Sequence, residues 1–473
     1  MATATAPTRA TIFSYQVGFG DCFLLRFDYP AGKARHVLID FGSTGLPDGT
    51  ADDHMLTIAR DIRDKCGGKL EVVVATHRHA DHISGFATRP GGSGPGDIIR
   101  GLDPEVVLQP WTEAPDAPVD GASFPGDSAP MADHRRRLAG VQQAAGQVVG
   151  LLQGTALGRI SPALRQQLAF LGQDNLSNAA AVRNLMTMGR AQVYGFHGSN
   201  PGLAEALPGV TTRVLGPPTL AQSAAIRKQR RTDPDEFWQL GLAALDAAQP
   251  FAKEGVELFP GHPTRRGTKL PRQARWFAHR VDLARGEQLL TLVRALDKQM
   301  NNTSLILLFE AAGRTLLFPG DAQIENWQYA LGKPDIVSRL AAVDVYKVGH
   351  HGSLNATPKS LWKAFAKRKK GGGPKPLKSI LSTMAGKHGD AHSHTEVPRE
   401  TLVTALDAET ELHSTQSLAP SQLCNEVSIA LDGAAAPPRA VRGAAPARRR
   451  AQVDGRKAGA RTAGRKRSGR TKA

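Results

Sequence analysis

Cysteine is nearly missing from this sequence. Three residues, Cys22, Cys66 and Cys424, are spread over 473 positions, which excludes a disulfide framework and a Cys-x-x-Cys metal knuckle. No window approaches the ~18–20 consecutive apolar residues of a membrane span. The opening residues, MATATAPTRATIF, lack the apolar stretch of a secretory signal. The chain therefore reads as cytoplasmic, in a reducing compartment, with no membrane partner. Also missing are a nucleophile elbow, a Gly-x-x-x-x-Gly-Lys-Ser/Thr phosphate loop and a dinucleotide fingerprint. Aromatic residues make up only 5% of the chain.

What is present is enough for a large core, since 41% of the residues are hydrophobic. The formal charge of +17 is unevenly placed. From Arg439 onward there are 13 Lys or Arg against one acid, Asp454, so this end carries about +12 and the body about +5. Residues 434–473 are dominated by Ala, Pro, Gly, Arg and Lys, a composition that cannot bury apolar surface and predicts disorder. Such a tail offers a non-specific contact to nucleic-acid phosphates. It has no aromatic residue for base stacking, so that contact would be electrostatic and salt-sensitive.

The body begins with short β-rich runs, ATIFSYQV, CFLLRFDY and HVLIDFG, separated by Gly and Pro-Ala-Gly turns. MLTIARDIRDKC has helical spacing and stops at Gly67-Gly68. EVVVATH and PEVVLQPW read as further strands. Residues 131–190 change to helical periodicity, strands return in AQVYGFH and TTRVLGPP, and residues 249–285 are polar and unpatterned. NTSLILLFEAAGRTLLFPGD then predicts a hairpin turning at Ala-Ala-Gly-Arg, AQIENWQYAL a helix, and VDVYKVGHHGS a strand running into a histidine pair. LKSILSTMA and NEVSIALD read as late strands. The expected organisation is one domain over residues 1–433, with its core in 1–111 and 300–433, a mainly helical insertion over 112–299, and the tail.

THRHADHISG carries the chemistry. Four ligand-type side chains, His77, His79, Asp81 and His82, fall within six positions directly after an apolar strand. In extended backbone, residues two apart point the same way, so His77 and His79 can grip one ion. A turn into a helix then lets Asp81 and His82 reach a second. Imidazole with carboxylate suits zinc, and also manganese or iron.

This motif resembles the metal signature of the metallo-β-lactamase superfamily, and other segments match in order. Asp40, ending HVLID, matches the early supporting aspartate. Asp321 in LLFPGDA matches the aspartate that bridges the metals, and His350 in YKVGHHGS the last histidine ligand, with His351 as its neighbour and rival. GFGDCFLL, NNTSLILLF and VYKVGHHGS are similar to the branch containing the hydrolase domain of DNA-uptake competence proteins. That branch has a Gly-Asp loop, here Gly20-Asp21, and an Asn and Ser before the Gly-Asp strand, here Asn302 and Ser304. The match covers about 1–110 and 300–430.

The resemblance implies an α/β four-layer αββα sandwich and two divalent metal ions held by His77, His79, Asp81, His82, Asp321 and His350. Asp21, Asp40 and His351 would support them. A histidine that many members add to the first site has no clear match; His134, His197 and His262 are the candidates. In GKHGDAHSHTEVP, His388, His392 and His394 form a loop cluster, with His394 the closest match to a histidine near the site. The implied chemistry is hydrolysis by a metal-activated water, with Asp81 as proton acceptor and His394 contacting substrate or moving a proton. The expected substrate is a phosphodiester, nucleic acid among them. The alternatives are a metal hydrolase of small esters, lactones or thioesters, and a nucleic-acid-binding protein that has lost catalysis.

Overall fold

The computed structural model describes residues 6–114, 179–219, 221–223, 301–353, 357–368, 377–388, 396–419 and 421–431. All of these lie in one unit, Met1–Ala435. The chain is α/β, with two mixed sheets and several helices. The strands are β1 (Arg9–Tyr15), β2 (Cys22–Asp28), β3 (Ala34–Phe41), β4 (Val72–Val74), β5 (Val106–Pro110), β6 (Ala191–Gly195), β7 (Val210–Gly216), β8 (Ile306–Ala311), β9 (Arg314–Phe318), β10 (Val345–Lys347), β11 (Lys378–Leu381), β12 (Glu411–Ser414) and β13 (Cys424–Ala430). The helices are α1 (His54–Lys65), α2 (Ala80–Ile83), α3 (Pro95–Arg100), α4 (Ala179–Thr187), α5 (Ile324–Leu331), α6 (Pro334–Ala341), α7 (Lys359–Ala364) and α8 (Glu400–Glu409).

The first sheet runs β13-β1-β2-β3-β4-β5-β6 and the second β12-β11-β10-β9-β8-β7. Both follow one plan. Strands β1 to β3 form an antiparallel meander that continues into parallel β4, β5 and β6. Strands β7 to β9 do the same and continue into parallel β10, β11 and β12.

Alternation along the strands explains the packing. Val72 and Val74 of β4 enter the same buried cluster as Leu316 and Phe318 of β9 and Val345 of β10, so the inner faces of both sheets share it. Val73 points the other way, into a cluster with Ile58, Ala59 and Ile62 of α1, Ile99 of α3 and Leu185 of α4. Leu317 and Tyr346 similarly meet Trp327 of α5, Leu340 of α6 and Leu406 of α8. The β8–β9 turn is as the sequence predicts: Ala312 and Gly313 have φ of 44° and 78°, the doubly positive pattern of a tight hairpin.

The expected insertion has narrower limits than its sequence pattern suggested. Within 112–299, α4 packs on the first sheet, β6 pairs with β5 and β7 pairs with β8, so these are core elements. The reason is position: β6 and β7 are edge strands, where partial burial weakens the apolar alternation. The rest of 115–178 and 224–300, and the tail 434–473, lie outside the described residues. Among the described residues no helix is long and apolar enough to cross a membrane.

Candidate metal centre

Parallel pairing sets strand ends level. Val37, Leu38 and Ile39 of β3 stand beside Val72, Val73 and Val74 of β4, so Asp40 emerges next to the chain leaving β4. Asp40 is buried with φ of 55°, a left-handed conformation that aspartate tolerates better than most residues. Its carboxylate accepts from Thr76 N–H and Thr76 Oγ1–H, each at 2.7 Å. His82 Nδ1 lies 2.8 Å from the same carboxylate. A proton held on Nδ1 leaves His82 Nε2 as the ligand atom, aimed away from Asp40. Burial pushes the Asp40 pKa up, partly offset by His82.

After Thr76 the chain reaches His79 in extended backbone, with φ −60° and ψ 149°. His77 Nε2 and His79 Nδ1 are 2.9 Å apart, the same-side placement expected for residues two apart. Arg78 between them pairs with buried Glu113, beyond the end of β5. The chain then turns into the short α2, where His82 N–H and Ile83 N–H both donate to the His79 carbonyl, at 3.0 and 3.1 Å. This turn brings Asp81 and His82 to the same cluster.

The second sheet supplies the other half. Gly320 follows β9 with φ of 54°, and a Cβ there would lie 2.8 Å from Thr76 Cβ and 3.2 Å from Ser304 Cβ. Glycine is what lets the two sheets' strand ends approach. Asp321 comes next. Its Oδ1 accepts the His350 N–H at 3.1 Å, and its Oδ2 lies 3.1 Å from His82 Nε2.

Beyond β10, His350 and His351 form a tight turn with φ of 46° and 50°. It is His351, the rival of His350 in the motif and expected in support, whose Nε2 reaches Asp81 Oδ2 at 2.9 Å and Asp321 Oδ2 at 3.8 Å. Its Nδ1 faces the Ser382 carbonyl at 3.2 Å. His350, expected as the ligand, stands at the rim with a side chain 24% exposed and Nε2 3.9 Å from Asp321 Oδ2. Its Nδ1 pairs with Ser353 Oγ at 2.7 Å.

Two buried groups therefore have geometry that could hold metal ions: Asp81, His82, Asp321 and His351, and His77, His79 and Asp81. Asp81 is common to both. A third group, Asp21, Asp40 and His82, lies behind them. Asp81 Oδ1, His82 Nε2 and Asp321 Oδ2 are buried; the last two face each other at 3.1 Å, while Asp81 Oδ1 has no hydrogen bond. An unbonded buried acceptor is costly, and a cation among these three atoms would engage it.

The electrostatics agree. Burial opposes charge on Asp81, but His82 and His351 pull its carboxyl far below the usual range. Asp321 is lowered in the same way by His82, His350 and His351. Burial disfavours charge on His82 too, and Asp321, Asp81 and Asp40 override it and push its pKa well up. Burial, then His82 and His79, keep His77 far below its ordinary value, in the neutral form that ligation needs. Depressed carboxyls beside raised imidazoles mark mutual ion pairing inside the cluster, an interaction a metal ion would replace.

Around this cluster, the Gly20-Asp21 loop lies against the motif: Asp21 N–H donates to the Asp81 carbonyl at 2.9 Å and Gly42 N–H to the Asp21 carbonyl at 3.0 Å. Phe19 is packed between His351 and His388, with ring centroids 4.5 and 3.9 Å away. His388 is the member of the late histidine loop that the structure places here, its pKa pushed down to about 3 by burial. His392 and His394 lie outside the described residues, as do His134 and His262. His197 is described and stands elsewhere, its Nδ1 2.7 Å from the Leu215 carbonyl and its ring against Tyr329.

Three contributors escaped the sequence reading. Thr76 ties Asp40 to the motif, Ser382 orients His351 and donates to the Gly20 carbonyl at 2.6 Å, and Lys347 is a buried cation beside Asp21 and Asp321. Only Lys347 left a signal, as a charge inside the apolar strand VDVYKVG. No protein-family model matches this chain, and no curated protein matches it.

Proposed function

We propose that this chain is a metal-dependent hydrolase of the metallo-β-lactamase superfamily, acting on phosphodiesters. The observation that carries the reading is the convergence of His77, His79, Asp81, His82, Asp321 and His351 from strand ends of both sheets, with Asp81 Oδ1 buried and unbonded among them. Two inner sheet faces sharing one core, with helices on each outer face, support the four-layer αββα arrangement.

His77, His79 and Asp81 would hold one ion, and Asp81, His82, Asp321 and His351 a second. The donor set of imidazoles and carboxylates suits zinc, with manganese or iron as alternatives. When bound, such ions lower the pKa of water and offset charge on substrate oxygens. The protein's own part is orientation. Asp40 fixes the tautomer of His82 and Ser382 that of His351. The His350 N–H holds Asp321 Oδ1, directing Oδ2 inward. Asp81 is common to both groups; its Oδ2 lies 2.9 Å from His351 Nε2 and its Oδ1 has no hydrogen bond, so its carboxylate would serve both ions.

The basic tail extends the reading toward nucleic acid, by charge alone. Free Cys22, Cys66 and Cys424 suit a reducing cytoplasm. The test is hydrolysis of bis-p-nitrophenyl phosphate beside p-nitrophenyl acetate and a simple lactone. Phosphodiester turnover that is lost on chelation, and lost in Asp81→Asn, supports the proposal. Turnover of the neutral substrates alone would reassign the chain to ester or lactone chemistry. No turnover of any with metal bound would favour a binding protein.

A further inference from the structure

Lys347 is the one buried ammonium in contact with this cluster among the described residues. It is 1% exposed. Its Nζ pairs with Asp21, lies 3.6 Å from Asp321 Oδ1, and donates to the Gly320 carbonyl at 3.1 Å. Burying an ammonium costs more than burying an apolar chain of the same length, so a methionine would serve packing better. The pair is also not needed to attach β10, which is parallel to β9 and β11 and carries Val345 and Tyr346 into two cores.

Counting charge shows what the ammonium changes. Asp21, Asp40, Asp81 and Asp321 are all buried here, each 5% exposed or less. Ligating imidazoles are neutral. The four carboxylates and Lys347 thus leave three negative charges. One divalent ion would leave the centre negative, and two make it positive by one as long as the bound water keeps its proton. Without the ammonium, two ions give only neutrality. Lys347 also pairs with Asp21 of the Asp21, Asp40 and His82 group, giving that group a positive charge of its own.

We propose that Lys347 sets the charge of the centre: it makes the two-metal form net positive and so selects an anionic substrate, a phosphodiester, over a neutral ester. Lys347 touches Asp21 and Asp321 rather than substrate, so it acts as a positioning and specificity residue. The inference rests on the metal-hydrolase reading above.

The experiment compares the full-length wild type, Lys347→Met, and Asp21→Asn combined with Lys347→Met. The double variant removes one charge of each sign and restores the balance. Metal per chain is measured by elemental analysis, and orthophosphate binding to the metal-loaded proteins by calorimetry. Lys347→Met is expected to keep its metal and bind orthophosphate at least about tenfold more weakly, the order expected of one nearby charge in a partly screened site. The double variant should return to within about threefold of wild type.

Unchanged phosphate binding in metal-loaded Lys347→Met would overturn the proposal. So would a double variant that keeps its metal and stays weak, since the specific contact rather than the charge would then matter. Metal loss in both variants would make Lys347 a structural prop, which also overturns it. If Lys347→Met alone fails to fold, Lys347→Gln, which removes the charge and keeps a polar chain, takes its place with the same limits. A wild type that takes up no metal would instead sink the functional reading itself, and the metal count shows which has failed.

Discussion

At the level of single residues, function turns on which atoms of neighbouring side chains face inward. His350 and His351 are adjacent and identical in type, yet their environments differ. His351 is fully buried, with one ring nitrogen near the Ser382 carbonyl and the other near two carboxylates. His350 is at the rim and pairs with Ser353. Substituting each by alanine should separate them. His351→Ala is expected to lose metal affinity by well over about tenfold, as removal of a ligand should exceed the ~10–100-fold typical of supporting residues. His350→Ala should keep its full metal complement by elemental analysis. The reverse result would restore the assignment that the motif alone suggested. The distinction is not recoverable from sequence, because both histidines sit in a turn with positive φ. The two-residue alternation that served for His77 and His79 does not apply there.

Among the elements, the site depends on strand ends meeting closely, and Gly320 is a point where the chain leaving β9 meets the chain leaving β4. Its φ of 54°, and the 2.8 Å that would separate an added Cβ from Thr76 Cβ, leave no room for a side chain. Gly320→Ala should destabilise the fold by about 1–3 kcal/mol, the cost of a strained left-handed residue with a clash, and weaken metal binding with it. Calorimetric melting showing no change would mean the sheets part there at little cost. Glu71, at the entry to β4, ties that strand to β3: it accepts the His36 N–H at 2.6 Å and Arg35 Nη1–H at 3.1 Å. Burial raises its pKa, but the bonds from His36 and Arg35 more than offset this and leave it below its ordinary 4.5. A carboxyl lowered on folding stabilises above its unfolded pKa, and that stability is lost as pH falls through the folded value. The stability gap between wild type and Glu71→Gln should therefore shrink on acidification below about pH 4.5, as read by denaturant titration at several pH values. A gap constant down to about pH 3 would contradict it. Most strands were legible, whereas α3, α6, α7, α8 and β12 were not. The β8–β9 hairpin, α1 and α5 follow from periodicity and turn residues. Strands β6 and β7 were legible as strands but not as sheet members, because pairing at an edge leaves little trace in a half-buried sequence.

Across the whole molecule, each sheet passes from an antiparallel meander into parallel strands, and the cluster forms beside β3, β4, β9 and β10, where that change occurs. Ligands bind outside the carboxyl ends of parallel strands in many α/β proteins, and here two such ends face each other. The local motif was readable because its residues are contiguous; the junction was not, since Asp81 and His351 are 270 positions apart. The tail contributes charge rather than ligands. Deleting residues 434–473 removes about +12 of the formal charge. It should leave metal content and bis-p-nitrophenyl phosphate hydrolysis in place while lowering affinity for single-stranded DNA and flattening its salt dependence. Equal DNA affinity at low salt after deletion would leave the tail with no role in binding. Whether the convergent histidines and aspartates form a two-metal centre is decided most directly by elemental analysis of the full-length protein purified without chelator. About two divalent ions per chain are expected, bound by the paired groups that share Asp81. A protein that carries none, and takes up none when zinc, manganese or iron is supplied, would contradict a metal centre at this site.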